Sequence, residues 1–403
     1  VTGDNNVSIG TQAGSTLPLD ANGAPPTVIT VDMVNTYSDA VNIGSNTKAL
    51  VHSAVAIGQS ASVLRGTGPA PDFVGPDSYV GGIAIGKNAQ VTHSLVTLPD
   101  GSTVNPYIGD YASMAIGANA QAHYGGETII GGYAGQGAKR YVPSTGVGEP
   151  YEGSQSLMVG GNAGRDSQYL KATFVGDEAG RGSVGEENSF VGRGAGQFLA
   201  GDKNTALGNR ALSGQAAINN STGSYNTAVG FQAGYEQAGD DNVLLGAFAG
   251  PAMAGSNNVS TGRQAGYGMQ GSYNVASGDE AGAGVQGSFN VATGRFAGRL
   301  VEGSRNIAIG DLTGMEIKAS DTIALGTGAQ GAKNNAIAIG REASAAEISD
   351  IALGAGAQAI GTRAVGADGK AIAIGTNAIA NGLSSIAIGT DVGGGATVGT
   401  SNA

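Results

Sequence analysis

The sequence has no cysteine and no tryptophan, and it is poor in aromatic and charged residues. Aromatic residues make up 5% and charged residues 13% of the 403 positions, where about 25% charged is usual. Without cysteine the chain can form no disulfide, thiol nucleophile or cysteine-ligated metal site. Without many large side chains it lacks what fills the interior of a compact enzyme of this length. The composition therefore argues against an ordinary globular enzyme.

Glycine is the residue that the chain has in excess, at 73 of 403 positions, and 40% of the residues are hydrophobic. That hydrophobic content is too high for a disordered, highly charged tail, so we expect a thin ordered structure whose small residues let backbones approach closely. The net charge of −11 disfavours nucleic acid or an anionic membrane surface as the main partner. We find no signal peptide and no uncharged apolar run long enough to span a bilayer, and therefore expect no segment that inserts into a membrane.

A short phrase recurs along the chain and closes on a glycine, which we call the marker glycine. Its clearest copies are Ala336–Gly340 (AIAIG) and Ala371–Gly375 (AIAIG). The marker recurs with a constant 16-residue step from Gly160 to Gly208 and from Gly230 to Gly326, and mostly with a 14-residue step after Gly326. Self-similarity at a fixed short period is the signature of a repeat architecture.

The alternation within the phrase has period two, which is typical of a β-strand, and glycines interrupt almost every stretch that could form a helix. A short strand, a turn, a second short strand and another turn fit into one 14-residue or 16-residue repeat, which is one coil of a narrow β-solenoid. A coil this thin encloses little volume, and the side chains on one face of each strand must therefore be small. Because the other face is still apolar, we infer that the Ile/Val face or its partner face packs against copies of the same chain.

A second regular feature is the asparagine four positions before the marker in the 16-residue zone. Stacked asparagines can form a ladder of amide hydrogen bonds or bond the turn backbone. We therefore interpret these residues as a structural ladder in preference to a ligand site. They are Asn188, Asn204, Asn226, Asn242, Asn258, Asn274, Asn290 and Asn306.

The spacing divides the chain into three predicted regions. Residues 1–159 are coils interrupted by insertions, residues 160–326 are the regular 16-residue repeat, and residues 327–403 are the 14-residue repeat. Ten of the eleven prolines precede the regular zone and mark the insertions. The residue pattern of one insertion predicts a β-hairpin with strands at 95–98 and 103–107. Residues 27–34 form another strand-like run.

The insertions carry the residues that we select as candidate contacts, because exposed tyrosine and arginine are favoured at protein interfaces. The loops either clasp neighbouring chains or contact a receptor or matrix protein directly. The candidates are Phe73, Tyr79, Tyr107, Tyr111, Arg140, Tyr141 and Tyr151.

Other motifs do not indicate catalysis or a cofactor. The run Gly81–Asn88 resembles a P-loop but ends in asparagine instead of Ser/Thr, and the Gly-x-Gly-x-x-Gly matches all share one repeat phase. The three histidines, His52, His93 and His123, lack the spacing of a zinc site. We therefore predict no catalytic residue, no cofactor and no metal, and expect that the protein is not an enzyme.

The repeated phrase resembles the YadA-like head of trimeric autotransporter adhesins of Gram-negative bacteria. The closest copies are Asn334–Gly340 (NNAIAIG), Ser53–Gly58 (SAVAIG), Ala112–Gly117 (ASMAIG) and Ser384–Gly389 (SSIAIG), and the likeness extends from Ser38 to about Val392. The resemblance implies an all-β, left-handed parallel β-roll that forms a homotrimer. It also implies a virulence-associated cell-surface adhesin that binds extracellular matrix proteins, host-cell receptors or abiotic surfaces, held at the outer membrane by segments outside this chain.

The 16-residue copies, such as Asn226–Gly234 (NTAVGFQAG), depart from the shorter head repeat. Similar phrases occur in phage tail-fibre-like proteins, so a trimeric fibre segment is the alternative function. A β-solenoid enzyme that degrades polysaccharides is a third possibility, although such enzymes use longer coils and a groove lined by carboxylates.

Overall fold

The described part of the chain is all-β. The computed structural model describes residues 7–9, 40–49, 53–64, 82–92, 96–97, 103–104, 113–123, 126–140, 155–215, 221–361 and 370–392, and these residues contain strands and turns but no helix. The chain divides into two units, Val1–Ala206 and Leu207–Ala403. In the described ranges of each unit the strands are very short, two or three residues each.

The first unit contains the strands β1 (Val7–Ile9), β2 (Val41–Ile43), β3 (Lys48–Ala49), β4 (Val55–Ile57), β5 (Ser62–Leu64), β6 (Ile83–Ile85), β7 (Gln90–Thr92), β8 (Val96–Thr97), β9 (Thr103–Val104), β10 (Met114–Ile116), β11 (Gln121–Ala122), β12 (Thr128–Ile130), β13 (Lys139–Arg140), β14 (Leu157–Val159), β15 (Gln168–Leu170), β16 (Thr173–Val175), β17 (Val184–Glu186), β18 (Ser189–Val191) and β19 (Leu199–Ala200). At the boundary of the units lies β20 (Thr205–Leu207).

The second unit contains β21 (Ser221–Thr222), β22 (Thr227–Val229), β23 (Val243–Leu245), β24 (Val259–Thr261), β25 (Val275–Ser277), β26 (Val291–Thr293), β27 (Ile307–Ile309), β28 (Ile323–Leu325), β29 (Gln330–Gly331), β30 (Ile337–Ile339), β31 (Ser344–Ala345), β32 (Ile351–Leu353), β33 (Gln358–Ile360), β34 (Ile372–Ile374), β35 (Ile379–Asn381) and β36 (Ile386–Ile388).

Equivalent strands of successive coils pair in parallel and in register. In the first unit, Ile83–Ile85 pairs with Met114–Ile116, and in the second unit, Val243–Leu245 pairs with Val259–Thr261. The change of period is visible in the pairing, because Ile307 of β27 meets Ile323 of β28, which in turn meets Ile337 of β30. The predicted all-β class is confirmed, and these long parallel sheets are compatible with the predicted β-solenoid or roll.

In most of the three-residue strands the middle residue points inward and its two neighbours point outward. Ala338 is fully buried, whereas Ile339 is 38% exposed, and the same alternation recurs from coil to coil. In the second unit a buried cluster of fourteen residues from Ala324 to Ala387 consists of alanine alone. The alanine face is therefore the interior, and the Ile/Val face is the outer surface.

The expectation of a uniformly small inner face is wrong at several coils. The inward residue is large at Met158, Phe174, Phe190 and Leu244, all of which are fully buried. Phe174 and Phe190 stack with ring centroids 5.1 Å apart. The room for these side chains comes from the glycine four positions after the marker: a Cβ on Gly250 would lie 2.6 Å from Cδ2 of Leu244. A glycine at that repeat position thus lets a larger neighbour fill the coil.

The second strand of the coil is not equally long everywhere. In the 14-residue coils it forms a parallel sheet of β29, β31, β33 and β35. In the second unit's 16-residue coils it shrinks to single bridges, such as Ala238 with Ala254 and Ala254 with Gln270. The 16-residue coils of the first unit keep a full second strand, since Gln168–Leu170 pairs with Val184–Glu186, so coil length alone does not determine whether this strand forms.

The predicted hairpin is confirmed in its described part. Val96–Thr97 pairs antiparallel with Thr103–Val104, with Val96 opposite Val104. The strand-like run at 27–34 lies outside the described residues.

Candidate functional site

Most of the loop residues selected as candidate contacts lie outside the described residues. These are Phe73, Tyr79, Tyr107, Tyr111, Tyr141 and Tyr151. Arg140 is the exception: it lies in β13, where its backbone pairs with that of Tyr169. The role of these residues as contacts stays a prediction.

The eight asparagines occupy equivalent buried positions, with at most 5% of each residue exposed. In the second unit, the backbone N–H of each asparagine from Asn242 to Asn306 donates to Oδ1 of the asparagine one coil earlier, at 2.9 to 3.0 Å. Thr322 donates to Asn306 in the same way and ends the row. In the first unit, Asn204 donates likewise to Asn188.

The asparagine side chains also bond the turn backbone. Nδ2 of Asn258 donates to the carbonyl of Gly271 at 3.0 Å, and Nδ2 of Asn274 donates to that of Gly287 at 2.9 Å. In both residues the amide oxygen also accepts from the next asparagine, so oxygen and nitrogen of each amide bond within the fold. These contacts support the structural interpretation of the asparagines over a ligand site.

The glycine-rich motifs form turns. In the P-loop-like run, Ile83–Ile85 is strand β6, and Asn88 follows in a left-handed turn conformation with φ of 55°. Gly266 and Gly268 likewise have φ of 63° in the turn after β24. Within the described ranges neither segment leads into a helix, whose N-terminus would hold a phosphate in a nucleotide-binding site.

Two buried acidic residues are used by the fold itself, and the first is Asp350. It accepts hydrogen bonds from the backbone N–H groups of Glu347, Gly361, Lys370 and Ala371, at 2.8 to 3.1 Å. These contacts close the longer coil between β32 and β34. Acceptance of several backbone amides is a structural use of a carboxylate.

The second, Glu127, accepts hydrogen bonds from the Tyr169 hydroxyl at 2.6 Å and from the backbone N–H of His123 at 2.8 Å. Burial lowers the pKa of His123 below its usual value, which favours the neutral form of its ring. No group of three or more His, Cys, Asp or Glu side chains that could hold a metal ion occurs within the described ranges. His52 and His93 lie outside those ranges.

The outward residues of the strands form apolar rows on the surface. In the second unit Val243, Val259 and Val275 stand directly in line, each 36–38% exposed. Ile309, Ile339 and Ile374 are exposed to a similar degree farther along the same unit. Rows of exposed β-branched residues on paired strands form a continuous apolar surface of the kind that marks an interaction site.

A depression of about 380 Å³ lies at one corner of three successive coils in the second unit. We call it the Tyr267 notch. It is lined by Gln264, Tyr267, Gly268, Glu280, Ala283, Gly284, Arg299 and Leu300. The outer coils contribute Tyr267 and Arg299 at the same repeat position, and the middle coil contributes Ala283 there. The small residue between two large ones creates the depression.

Polar groups of both charges border the notch. The Glu280 carboxylate lies 3.6 Å from Nε of Arg299 and 3.9 Å from Nη2 of Arg263. The Arg299 guanidinium also lies 5.7 Å from the centre of the Phe296 ring. On the next coil, the side-chain hydrogen bond from Arg295 holds the pKa of Asp311 below its ordinary value. The notch thus combines an aromatic ring with a paired carboxylate and guanidinium.

The notch is not among the sites predicted from the sequence. Its residues belong to the regular repeat, where Tyr267 and Arg299 are two of many turn residues. The signal that could have revealed it is the order Tyr267, Ala283, Arg299 at one repeat position, because stacking in register places these residues on adjacent coils.

Comparison with known proteins places the chain in no family: no protein-family model matches it, and no curated protein matches it significantly. Across the stretches that the structure describes, no helix has the length and apolar character needed to cross a membrane.

Proposed function

We propose that the chain is the homotrimeric head of a bacterial cell-surface adhesin that attaches to host extracellular matrix, cells or abiotic surfaces without catalysis. In this proposal each chain winds as a left-handed β-roll, needs no cofactor, and is held at the outer membrane through segments outside this sequence. The resemblance of the repeated phrase to YadA-like heads supplies the role in attachment and the handedness.

The observation that carries the proposal is the outward apolar surface of the paired strands. Val243, Val259 and Val275 stand in line and partly exposed on adjacent strands. Exposing such rows to water costs about 25 cal/mol for each Å² that a partner could cover. Identical copies of one chain present the same rows at the same spacing, so they match one another over many coils.

Self-association of this kind also explains how weak contacts could hold a cell to a surface. Three copies repeat any surface group three times, and the coils repeat it again along each chain. Linked weak contacts give an avidity well above the affinity of one contact. The binding loops predicted in the first unit, with Tyr107 and Arg140 among them, would then act together.

Light scattering of the purified chain tests assembly. We expect a mass of three times 39.3 kDa that persists on dilution, because the apolar rows are covered only in the trimer. A stable monomer would contradict the proposal. Adhesion is then measured on surfaces coated with collagen, fibronectin or laminin and on bare plastic, and retention on none of them would refute the attachment role even for a trimer.

A further inference from the structure

The Tyr267 notch has the width of a single sugar ring. Parallel strands of adjacent coils stack about 4.8 Å apart, so the backbones at Tyr267 and Arg299, two coils apart in the same repeat position, are about 10 Å apart. Between them Ala283 and Gly284 form a low floor, and Ala283 is only 8% exposed. The six-membered pyranose ring of a hexose fits between walls at this separation.

The walls offer the surfaces that a sugar needs. Tyr267 is 49% exposed, and its ring can cover the C–H face of a pyranose, since an aromatic ring presents an apolar face and a polar edge. Beside it, a Cβ placed on Gly268 would meet no atom within 4 Å. The space beside Gly268, which lines the notch next to Tyr267, is therefore open.

The polar side chains that line the notch can form hydrogen bonds with the hydroxyl groups of a sugar. Glu280 supplies acceptors, Arg299 supplies donors, and Gln264, whose Oε1 accepts from Arg263 at 2.7 Å, keeps its Nε2 as a donor. Sugar hydroxyls both donate and accept, so they can satisfy all three side chains at once. A purely apolar ligand would instead remove these groups from water without replacing their hydrogen bonds.

The charges favour a neutral sugar. Glu280 lies within 3.9 Å of both Arg263 and Arg299, so its carboxylate offsets the positive charge that would attract an acidic sugar or a phosphate. The net charge of −11 repels anionic polymers further. We infer that the Tyr267 notch binds a neutral hexose of a glycan. This site is separate from the strand faces proposed to form the trimer, and its binding requires no trimer.

Saturation-transfer NMR on the full chain tests the inference, with the methyl glycosides of glucose, galactose, mannose and N-acetylglucosamine as probes. We expect at least one of them to receive saturation. Tyr267→Ala should weaken its binding about tenfold, and Ala283→Arg should abolish it by filling the floor. Arg299 already occupies the same repeat position, so arginine suits that turn.

Tyr273→Ala is the matched control, because Tyr273 is 54% exposed in the same region but does not line the notch. It should bind the sugar as the unchanged chain does, and unchanged thermal unfolding would show that each variant is folded. Absence of binding for all four glycosides, or equal loss in Tyr267→Ala and Tyr273→Ala, would overturn the inference. A monomer that binds the sugar through Tyr267 would keep the inference and refute the trimer.

Discussion

At the scale of single residues, the marker glycine is set by two constraints that act together. Gly246 has a φ of 130°, a backbone conformation that residues with a side chain rarely adopt. A Cβ there would also lie 2.6 Å from the carbonyl oxygen of Gly262 in the next coil. The marker therefore stacks glycine on glycine, and the glycine excess of the sequence is largely a set of such positions.

Gly246→Ala should lower the free energy of unfolding by about 4 kcal/mol, through backbone strain and overpacking together. Gly268→Ala is the control, because Gly268 also has positive φ but has open space around it. Its cost should be about 1 kcal/mol, from the left-handed backbone alone. Urea denaturation measures both, and equal losses would show that contact between coils is not what requires glycine at the marker.

At the scale of the repeated element, the asparagine ladder joins each coil to the next through side chains as well as strands. Asn258 accepts from the backbone N–H and from Nδ2 of Asn274, at 2.9 and 3.1 Å, and donates to Asn242 and Gly271. The side chain of Asn258 thus bonds the turn at Gly271 and the following asparagine, while its backbone N–H bonds the preceding asparagine. Buried polar networks of this kind stabilise a fold only while every member is paired.

Asn258→Ala should lower the free energy of unfolding by about 3 kcal/mol, because it leaves buried backbone groups of Asn274 and Gly271 without these partners. Gln270→Ala removes an amide from an exposed position in the same unit and should cost less than about 0.5 kcal/mol. Chemical denaturation compares the two variants. A loss in Asn258→Ala no larger than in Gln270→Ala would show that the ladder contributes nothing to stability.

Much of this element could be predicted from the sequence. Strand type, parallel stacking and coil length follow from the period-two phrase and the marker spacing, because one face of a strand repeats at every second position. The large interior residues could not be predicted: whether Phe174 points into the coil depends on the space left by Gly180, which lies across the coil from it. The Tyr267 notch could not be predicted for a related reason. A depression arises where neighbouring coils differ, whereas a repeat is recognised by the residues that the coils share.

At the scale of the whole molecule, the outward faces decide how copies of the chain could meet. Sequence reasoning left open which strand face is turned outward. The structure places Ala338 in the interior and Ile339 on the surface. A partner copy would therefore meet the Ile/Val rows, and a charge there would act once in every copy of an assembly.

Ile339→Asp should convert the proposed trimer into smaller species, because it would place an unpaired charge on the proposed apolar contact. Leu383→Asp is the control: Leu383 is 47% exposed but lies in a turn before β36 rather than on a strand. Light scattering should show a monomer or a dissociating mixture for the first variant and an unchanged trimer for the second. An intact trimer from Ile339→Asp would show that the Ile/Val rows are not the contact.

The in-register pairing of equivalent strands has a consequence for how the gene can change. Val243, Val259, Val275 and Val291 meet one another in an unbroken row, so loss of one whole coil would bring together residues of the same kind. Unequal recombination between such repeats would lengthen or shorten the protein by single coils, each step about 4.8 Å, with every new junction already fitted. Length in this chain is thus a heritable quantity that can vary without any new interface having to evolve.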